Sequence, residues 1–213
     1  MIALERARQY LEQLSLSHAA AVLESRLEAA ATQEMTDADS LADLQDAELA
    51  VRRERSLKAR IRLAHLPFHK TLDPFDFAFQ SSIDERQIRE LATMAFVANA
   101  TNVLFLGPPG VGKTHLAVAL GLAAIEQGLA VYFVTAYTLV QNLRRAHPEN
   151  RLERRLRVYT APRLLIIDEL GDLALDSLEA TLFFQLVSAW WVPLNPGPGD
   201  FSSGQNGGFL NRP

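Results

Sequence analysis

Residues 107–114 read Gly107-Pro108-Pro109-Gly110-Val111-Gly112-Lys113-Thr114, and this stretch decides the fold of the chain. It matches G-x-x-x-x-G-K-[ST], the phosphate-binding P-loop or Walker A motif. Glycines let backbone N–H groups curl around a phosphate, a lysine brings a positive charge to the β- and γ-phosphates, and a threonine hydroxyl suits Mg²⁺. We therefore predict that ATP binds to residues 107–114 and to the following His115, with Lys113 as a catalytic charge and Thr114 as a Mg²⁺ ligand.

The residues on either side of the P-loop favour a strand before it and a helix after it. Residues 103–106 (Val-Leu-Phe-Leu) are a short apolar run of the kind that forms a buried strand. Residues 115–127 are rich in alanine and leucine, and Gly128 is a typical helix stop. A strand, a glycine loop and a helix in this order predict an α/β fold built on a parallel sheet.

A second apolar run, residues 164–167 (Leu-Leu-Ile-Ile), ends in the acids Asp168 and Glu169. We interpret it as a central parallel strand whose acids lie at its carboxyl end, where ligands bind in open α/β sheets. Asp168 is then predicted to bind nucleotide and Mg²⁺, directly or through water, which is the Walker B role. Glu169 is placed to polarise a water as a general base. Following a P-loop, this pattern supports nucleotide hydrolysis chemistry.

The amino-acid composition limits the classes of protein to which the chain can belong. The 213 residues are 48% hydrophobic, which is ample for a globular core, and the net charge of −4 gives no hint of a nucleic-acid partner. Cysteine is absent, so disulfides, thiolate metal sites and cysteine nucleophiles are excluded, which fits a reducing cytosol. No apolar run approaches a membrane span and the N-terminus lacks a signal-peptide core, so we expect a cytoplasmic protein without a membrane partner.

The first seventy residues read as three helices. The first covers residues 1–14 with an apolar stripe, and the second runs to Ala30 with Ser15 or Ser17 as its cap. Polar residues 36–40 precede the third, which runs from about Leu41 to Ala64 and carries six basic residues in its second half. On this stretch alone, a solvated basic face is the favoured interpretation.

A connector separates these helices from the P-loop region. Phe75, Phe77 and Phe79 alternate with other residues there, which predicts an extended segment that lays three rings on the next domain. Ser82-Ile83-Asp84-Glu85 then matches the S-x-x-E capping box and predicts a helix to about Val97.

Beyond the P-loop helix we predict a second strand at residues 131–134 and short helices at residues 135–146 and 151–159. A last helix is predicted to begin with the capping pattern Asp176-Ser177-Leu178-Glu179. Its apolar stripe is Leu178, Leu182, Leu186 and Trp190. Trp190 and Trp191 are assigned to packing. From residue 192 the chain is rich in Gly, Pro, Ser and Asn, so we predict a disordered tail over residues 192–213.

Arginines concentrate on the two short helices and the turn between them. Together with the basic half of the third helix, two arginine-rich stretches in an acidic protein favour contact with a polyanion. The candidate DNA-binding residues are Arg144, Arg145, Arg151, Arg154, Arg155 and Arg157.

With both nucleotide motifs placed, the chain resembles the IstB-type helper ATPases of insertion sequences, which are related to the DnaC helicase loader. The stretches that carry the resemblance are residues 82–92 (SIDERQIRELA), 102–122, 131–135 (VYFVT) and 164–171 (LLIIDELG). The resemblance implies an AAA+ ATPase with a helical N-terminal domain, which binds DNA and assists the transposase of the same element. It also implies a homo-oligomer if the core is complete, and initiator-type relatives carry a DNA-contacting helix where residues 144–157 stand.

The chain departs from this family after the acidic strand. AAA+ cores continue into a fourth strand with a sensor residue, a fifth strand, an arginine finger and a helical lid, whereas Arg212 is the one basic residue after Glu169. Since the fourth strand lies between the P-loop strand and the acidic strand, its loss would leave a gap in the sheet. The sequence therefore predicts an incomplete core, which we interpret as the product of a truncated or frame-shifted gene.

Three functions stay open at this point: an ATP-binding helper of transposition, a DnaC-like helicase loader, and a catalytically dead remnant that binds nucleotide without turnover. ATP hydrolysis to ADP and phosphate is implied by the family and is in doubt without a sensor and an arginine finger. The predicted organisation is a helical N-terminal domain (1–70), a connector (71–80), a P-loop ATPase core (81–191) and the tail (192–213).

Overall fold

The structure, a computed structural model, describes residues 2–79 and 83–191. Their contacts divide the chain into a first unit, residues 2–135 with 162–168, and a second unit, residues 136–161 with 169–191. The predicted tail and Ser82 lie outside the described residues. The fold is helix-rich α/β with a small parallel sheet. Within the described residues, none of the helices combines the length and the apolar character that crossing a membrane requires.

The first unit opens with the three predicted helices, α1 (Ile2–Gln13), α2 (Ser17–Thr32) and α3 (Asp37–Leu63). The predicted stripe on α1 packs against a cluster formed by Ala19, Leu23 and Leu44. The polar residues before α3 supply its cap, because the Thr36 hydroxyl accepts the N–H of Asp39 at 3.2 Å. These helices are confirmed, with α3 starting a few residues earlier than predicted.

The serine cap predicted for α2 is wrong. Leu16 stands at the N-cap position and makes no side-chain cap bond. Instead, Glu48 reaches across from α3, where one of its carboxylate oxygens accepts the N–H groups of His18 and Ala19, each at 2.9 Å. An acid distant in sequence thus satisfies two of the free donors of the first turn of α2.

The connector and the helix after it also differ from the prediction. The Asp76 carboxylate accepts the N–H groups of Ala78 (2.9 Å) and Phe79 (3.1 Å), which closes a turn where an extended segment was expected. Phe79 is left 79% exposed, so the three rings do not share one packing role.

Two shorter helices, α4 (Glu85–Leu91) and α5 (Ala95–Ala98), replace the single helix predicted to about Val97. The N–H of Arg86 binds the Asp84 side chain, so Asp84 caps α4. Met94 separates the two helices with a φ of 62°, a left-handed conformation that ends a helical segment.

The core of the first unit lies between the helix α6 (Lys113–Glu126) and the two-stranded sheet. Strands β1 (Val131–Thr135) and β2 (Leu164–Asp168) are parallel, with Val131 opposite Leu164 and Thr135 opposite Asp168. Buried residues of α6 pack with the inward side chains of both strands, and these include Val118, Leu122, Ile125, Phe133 and Ile166. The helix ends as predicted, since Gly128 adopts a φ of 86° directly after its last turn.

The strand predicted before the P-loop does not form. Residues 103–106 pair with no other described residue, and Leu104 and Leu106 are 69% and 82% exposed, although Phe105 packs against the core. Likewise, β2 has β1 as its one neighbour among the described residues and is not a central strand there. A strand exists through hydrogen bonds to a neighbour, so an apolar run without a partner stays irregular.

The second unit contains α7 (Ala136–Ala146), α8 (Leu152–Thr160), a 3-10 turn (Leu170–Asp172) and α9 (Ser177–Trp191). Its buried side chains include Leu139, Leu143, Tyr159, Leu182 and Leu186. The predicted packing role of Trp190 is confirmed, because its indole N–H donates to the carbonyl of Tyr159 at 3.1 Å. Leu178 departs from the predicted stripe, being 39% exposed.

Candidate functional site

The glycine loop enters α6 through backbone conformations that favour glycine. Gly110 has a φ of 82° and Gly112, the N-cap of α6, a φ of 90°. A Cβ on Gly110 would meet nothing within 4 Å, so conformation, and not lack of space, demands glycine there. The loop therefore presents the free N–H groups of the first turn of α6, the arrangement that binds phosphates.

Lys113 is the first residue of α6, and its side chain returns along the loop that precedes it. Its ammonium group donates to the carbonyl oxygens of Gly107 at 2.8 Å and Pro108 at 2.7 Å. The positive charge therefore lies at the loop itself, beside the backbone that would surround a phosphate group.

Thr114 and Asp168 are brought together by the fold. The Thr114 hydroxyl donates to an Asp168 carboxylate oxygen at 2.8 Å, across 54 residues of sequence. Asp168 is the last residue of β2 and Thr114 lies in the first turn of α6, so the P-loop and the acidic strand end meet at one place in the first unit. Hydroxyl and carboxylate oxygens are ligands that Mg²⁺ prefers, so this pair fits a magnesium ion.

Glu169 follows Asp168 in sequence and is the first residue of the second unit. It is exposed, and its φ of 60° places it in the left-handed region at the start of the 3-10 turn. A non-glycine residue in this region costs about 1–2 kcal/mol, and such strain is common at functional sites. Its predicted role as a general base stays a prediction.

His115 has a contact that its position beside the P-loop did not indicate. Its Nε2 lies 3.0 Å from the carbonyl oxygen of Thr71 in the connector. Its ring also makes edge contacts with Phe75 (centroids 5.2 Å apart) and Phe68 (6.3 Å). The imidazole therefore binds the connector, a role that no local sequence pattern signalled.

The candidate DNA-binding arginines fall into groups with different environments. Arg144 pairs with the buried Glu179 at 2.9 Å and with Asp176 at 3.3 Å, which ties it to α9. Arg151 and Arg157 make exposed pairs with Glu149 and Glu153 at 3.2 and 3.8 Å. Within residues 2–79 and 83–191, the arginines that form no ion pair include Arg145, Arg154 and Arg155. Of the six predicted arginines, three therefore carry an ion pair and three have none among the described residues.

A glycine loop that runs into a helix, with a threonine hydroxyl bound to a strand-end carboxylate, characterises an α/β protein of the P-loop class. Residues 9–191 match the sequence pattern of the IstB-like ATP-binding proteins, and the chain belongs to this family.

Individual relatives agree over most of the chain. A candidate ATP-binding protein of insertion sequence IS5376 from Geobacillus stearothermophilus is 45% identical over 184 residues, covering 86% of this chain and 73% of the relative. The corresponding protein of IS21 from Pseudomonas aeruginosa is 44% identical over 178 residues, covering 84% and 67%. That of IS232 from Bacillus thuringiensis subsp. berliner is 41% identical over 177 residues, covering 83% and 71%.

Proposed function

We propose that this protein is an ATP-binding helper of DNA transposition, with a P-loop ATPase core of the AAA+ type and an N-terminal helical domain. The observation that carries the proposal is the 2.8 Å hydrogen bond between Thr114 and Asp168, because it joins the two motifs that a nucleotide with Mg²⁺ needs in one place. The relatives named above are proteins of insertion sequences, which supports transposition as the setting.

The site residues divide the work of binding a nucleotide. Lys113 and the N–H groups of the first turn of α6 would hold the β- and γ-phosphates. Thr114 and Asp168 would hold Mg²⁺, which when bound neutralises charge on the phosphate oxygens. Glu169 would accept a proton from the attacking water. His115 would contribute to nucleotide binding indirectly, through its hydrogen bond to the carbonyl oxygen of Thr71 in the connector.

DNA is the proposed macromolecular ligand and the transposase of the same element the proposed protein partner. The arginines of α7, α8 and the turn between them support DNA binding, chiefly Arg145, Arg154 and Arg155, whose charges are not used in ion pairs within the described part of the chain. Phosphate contacts of this kind make binding weaken steeply with salt. We propose a cytoplasmic protein for this function, and a homo-oligomer if the core is complete.

Lys113→Ala tests nucleotide binding, with Lys58→Ala as the matched control because Lys58 is an exposed lysine of α3 that pairs with Glu54. We expect Lys113→Ala to weaken MgATP binding by at least about tenfold, since it removes the positive charge at the loop, while Lys58→Ala binds like the wild type. Equal MgATP affinity of the wild type and Lys113→Ala, measured by titration with a fluorescent nucleotide, would exclude this site.

Two further measurements separate the alternatives. Phosphate release with and without duplex DNA distinguishes an ATPase from a protein that binds nucleotide without turnover. Co-purification with the transposase or with a replicative helicase distinguishes a transposition helper from a helicase loader. Capture of the helicase in preference to the transposase would contradict the proposed partner.

A further inference from the structure

The connector approaches the P-loop at an aromatic side chain, Phe75. Its backbone is held on both sides, because the N–H of Phe75 donates to the carbonyl of Leu72 at 3.0 Å and Asp76 closes the turn that follows. Two consecutive turns therefore fix the point from which the ring projects. The ring also packs edge-on against Phe77, with centroids 4.8 Å apart.

The ring of Phe75 lies directly against Gly112. A Cβ added to Gly112 would come within 2.6 Å of Cε2 of Phe75, closer than real Cβ atoms approach other atoms, and within 3.1 Å of Cζ, which is a tight contact. Gly112 already needs glycine for its φ of 90°, so the aromatic ring adds a second, steric requirement at the same residue. The ring thus covers the backbone at the entry to α6.

A second contact joins the connector to α6 three residues further on. In the tautomer that is protonated at Nε2, His115 donates to the carbonyl oxygen of Thr71, and its ring packs against Phe75. The connector is therefore attached at residues 112 and 115, and Lys113 and Thr114 lie between these two attachment points.

From this arrangement we infer that Phe75 is a positioning residue for the P-loop. Its ring holds the backbone of Gly112, and with it the start of α6, in the conformation that directs Lys113 and Thr114 to a nucleotide. The inference rests on the proposed nucleotide binding and adds to it a residue 37 positions before Gly112, outside both nucleotide motifs. Small displacements of binding groups have large effects on function, so removal of the ring is expected to weaken nucleotide binding.

Phe75→Ala tests this inference, with Phe79→Ala as the matched control because Phe79 belongs to the same connector and is 79% exposed. The first measurement is amide hydrogen exchange without nucleotide, compared between residues 110–114 and helices α1 to α3. We expect Phe75→Ala to raise exchange at residues 110–114 and leave α1 to α3 unchanged, and Phe79→Ala to change neither region.

The second measurement is MgATP affinity. Phe75→Ala should weaken binding by about tenfold, while Phe75→Tyr, which keeps every ring carbon, should retain most of it. If Phe75→Ala does not fold, Phe75→Leu replaces it, since leucine preserves apolar volume but lacks the ring atoms that reach Gly112. Loss of affinity with Phe75→Leu and recovery with Phe75→Tyr would support positioning by the ring.

The outcomes separate this inference from the proposed function. If the wild type and Phe79→Ala bind no MgATP, nucleotide binding is refuted, and the exchange data still decide whether Phe75 orders the loop. If MgATP binds and Phe75→Ala matches Phe79→Ala in both exchange and affinity, positioning by Phe75 is refuted while the proposed function stands.

Discussion

Glu48 in the first unit and Glu179 in the second are buried carboxylates, 4% and 6% exposed. Each accepts a backbone N–H at the start of a helix and each pairs with an arginine, Arg52 at 2.7 Å and Arg144 at 2.9 Å. Their origins differ. Glu179 belongs to the helix that it caps, and Glu48 reaches α2 from α3.

This difference shows which helix caps can be predicted from the local sequence. On α9, the Asp176 carboxylate accepts the N–H of Glu179 at 2.8 Å and Glu179 accepts the N–H of Asp176 at 3.1 Å, the reciprocal pattern that the sequence predicted. On α2 a serine was predicted as the cap from the local sequence, yet the structure uses an acid about thirty residues away. Local spacing identified Glu179 and could not identify Glu48.

The largest effect is expected from removal of the long-range cap. Glu48→Ala would leave the N–H groups of His18 and Ala19 without an acceptor, and Ala19 is 2% exposed, so water cannot readily replace the lost bonds. We expect the midpoint of thermal unfolding to fall by on the order of 5 °C, as measured by circular dichroism. Glu54→Gln, a change in an exposed pair on the same helix, is the control, and an equal loss in both variants would contradict this role.

The same carboxylate predicts a dependence on pH. The N–H of Ala19, the Arg52 side chain and the N–H of His18 all stabilise the charged form and hold the pKa of Glu48 below its ordinary value, against the opposing effect of burial. A lowered folded-state pKa contributes stability above the unfolded pKa, near 4.3, and loses it as the pH falls through the folded value. The stability difference between the wild type and Glu48→Gln should therefore shrink below about pH 4. A difference that is constant from pH 7 to 3 would exclude this linkage.

A smaller loss of stability is expected from removal of Glu179, the cap that lies within its own helix. Glu179→Ala removes the acceptor of the Arg144 side chain, of the Gln141 side chain and of the N–H of Asp176. The Arg144 side chain is about half exposed, so water can replace the pair that it loses. We expect a decrease of about 1–2 kcal/mol in the free energy of unfolding, measured by urea denaturation. A loss larger than that of Glu48→Ala would reverse the order inferred from burial.

Two apolar runs show the same limit of local pattern in the sheet. Residues 103–106 and 164–167 are alike in composition, and both were predicted as strands, yet only the second finds a parallel neighbour among the described residues. Helices with stripes and caps, such as α1 and α9, could be predicted because their signals lie within a few residues of each other.

For the candidate site, the P-loop motif and Asp168 were identified from spacing, and the general geometry of parallel sheets led us to expect them at one place. The contact of Phe75 with Gly112 joins residues 37 positions apart. The alternating phenylalanines drew attention to the connector without indicating which ring reaches the loop. The predicted domain boundaries at residues 70 and 80 stay a prediction.

The smallest effects on stability are expected at Arg144, which pairs with Glu179, and at its neighbour Arg145. Arg144→Ala breaks the pair with Glu179 and should cost about 1 kcal/mol in the free energy of unfolding, with little change in DNA affinity, because its charge is already paired. Arg145 is exposed and forms no ion pair with any described residue. Arg145→Ala should therefore leave stability within about 0.5 kcal/mol, yet reduce the slope of log affinity for duplex DNA against log salt by about one.

Binding of a labelled duplex at several salt concentrations, together with urea denaturation of both variants, measures each quantity separately. The two residues are adjacent in α7 and carry the same side chain. They differ in that Arg144 pairs with the buried Glu179, whereas Arg145 forms no ion pair with any described residue. If Arg144→Ala weakened DNA binding as much as Arg145→Ala did, the bond to Glu179 would not withhold Arg144 from DNA. The division of the arginines into structural and DNA-binding groups would then be wrong.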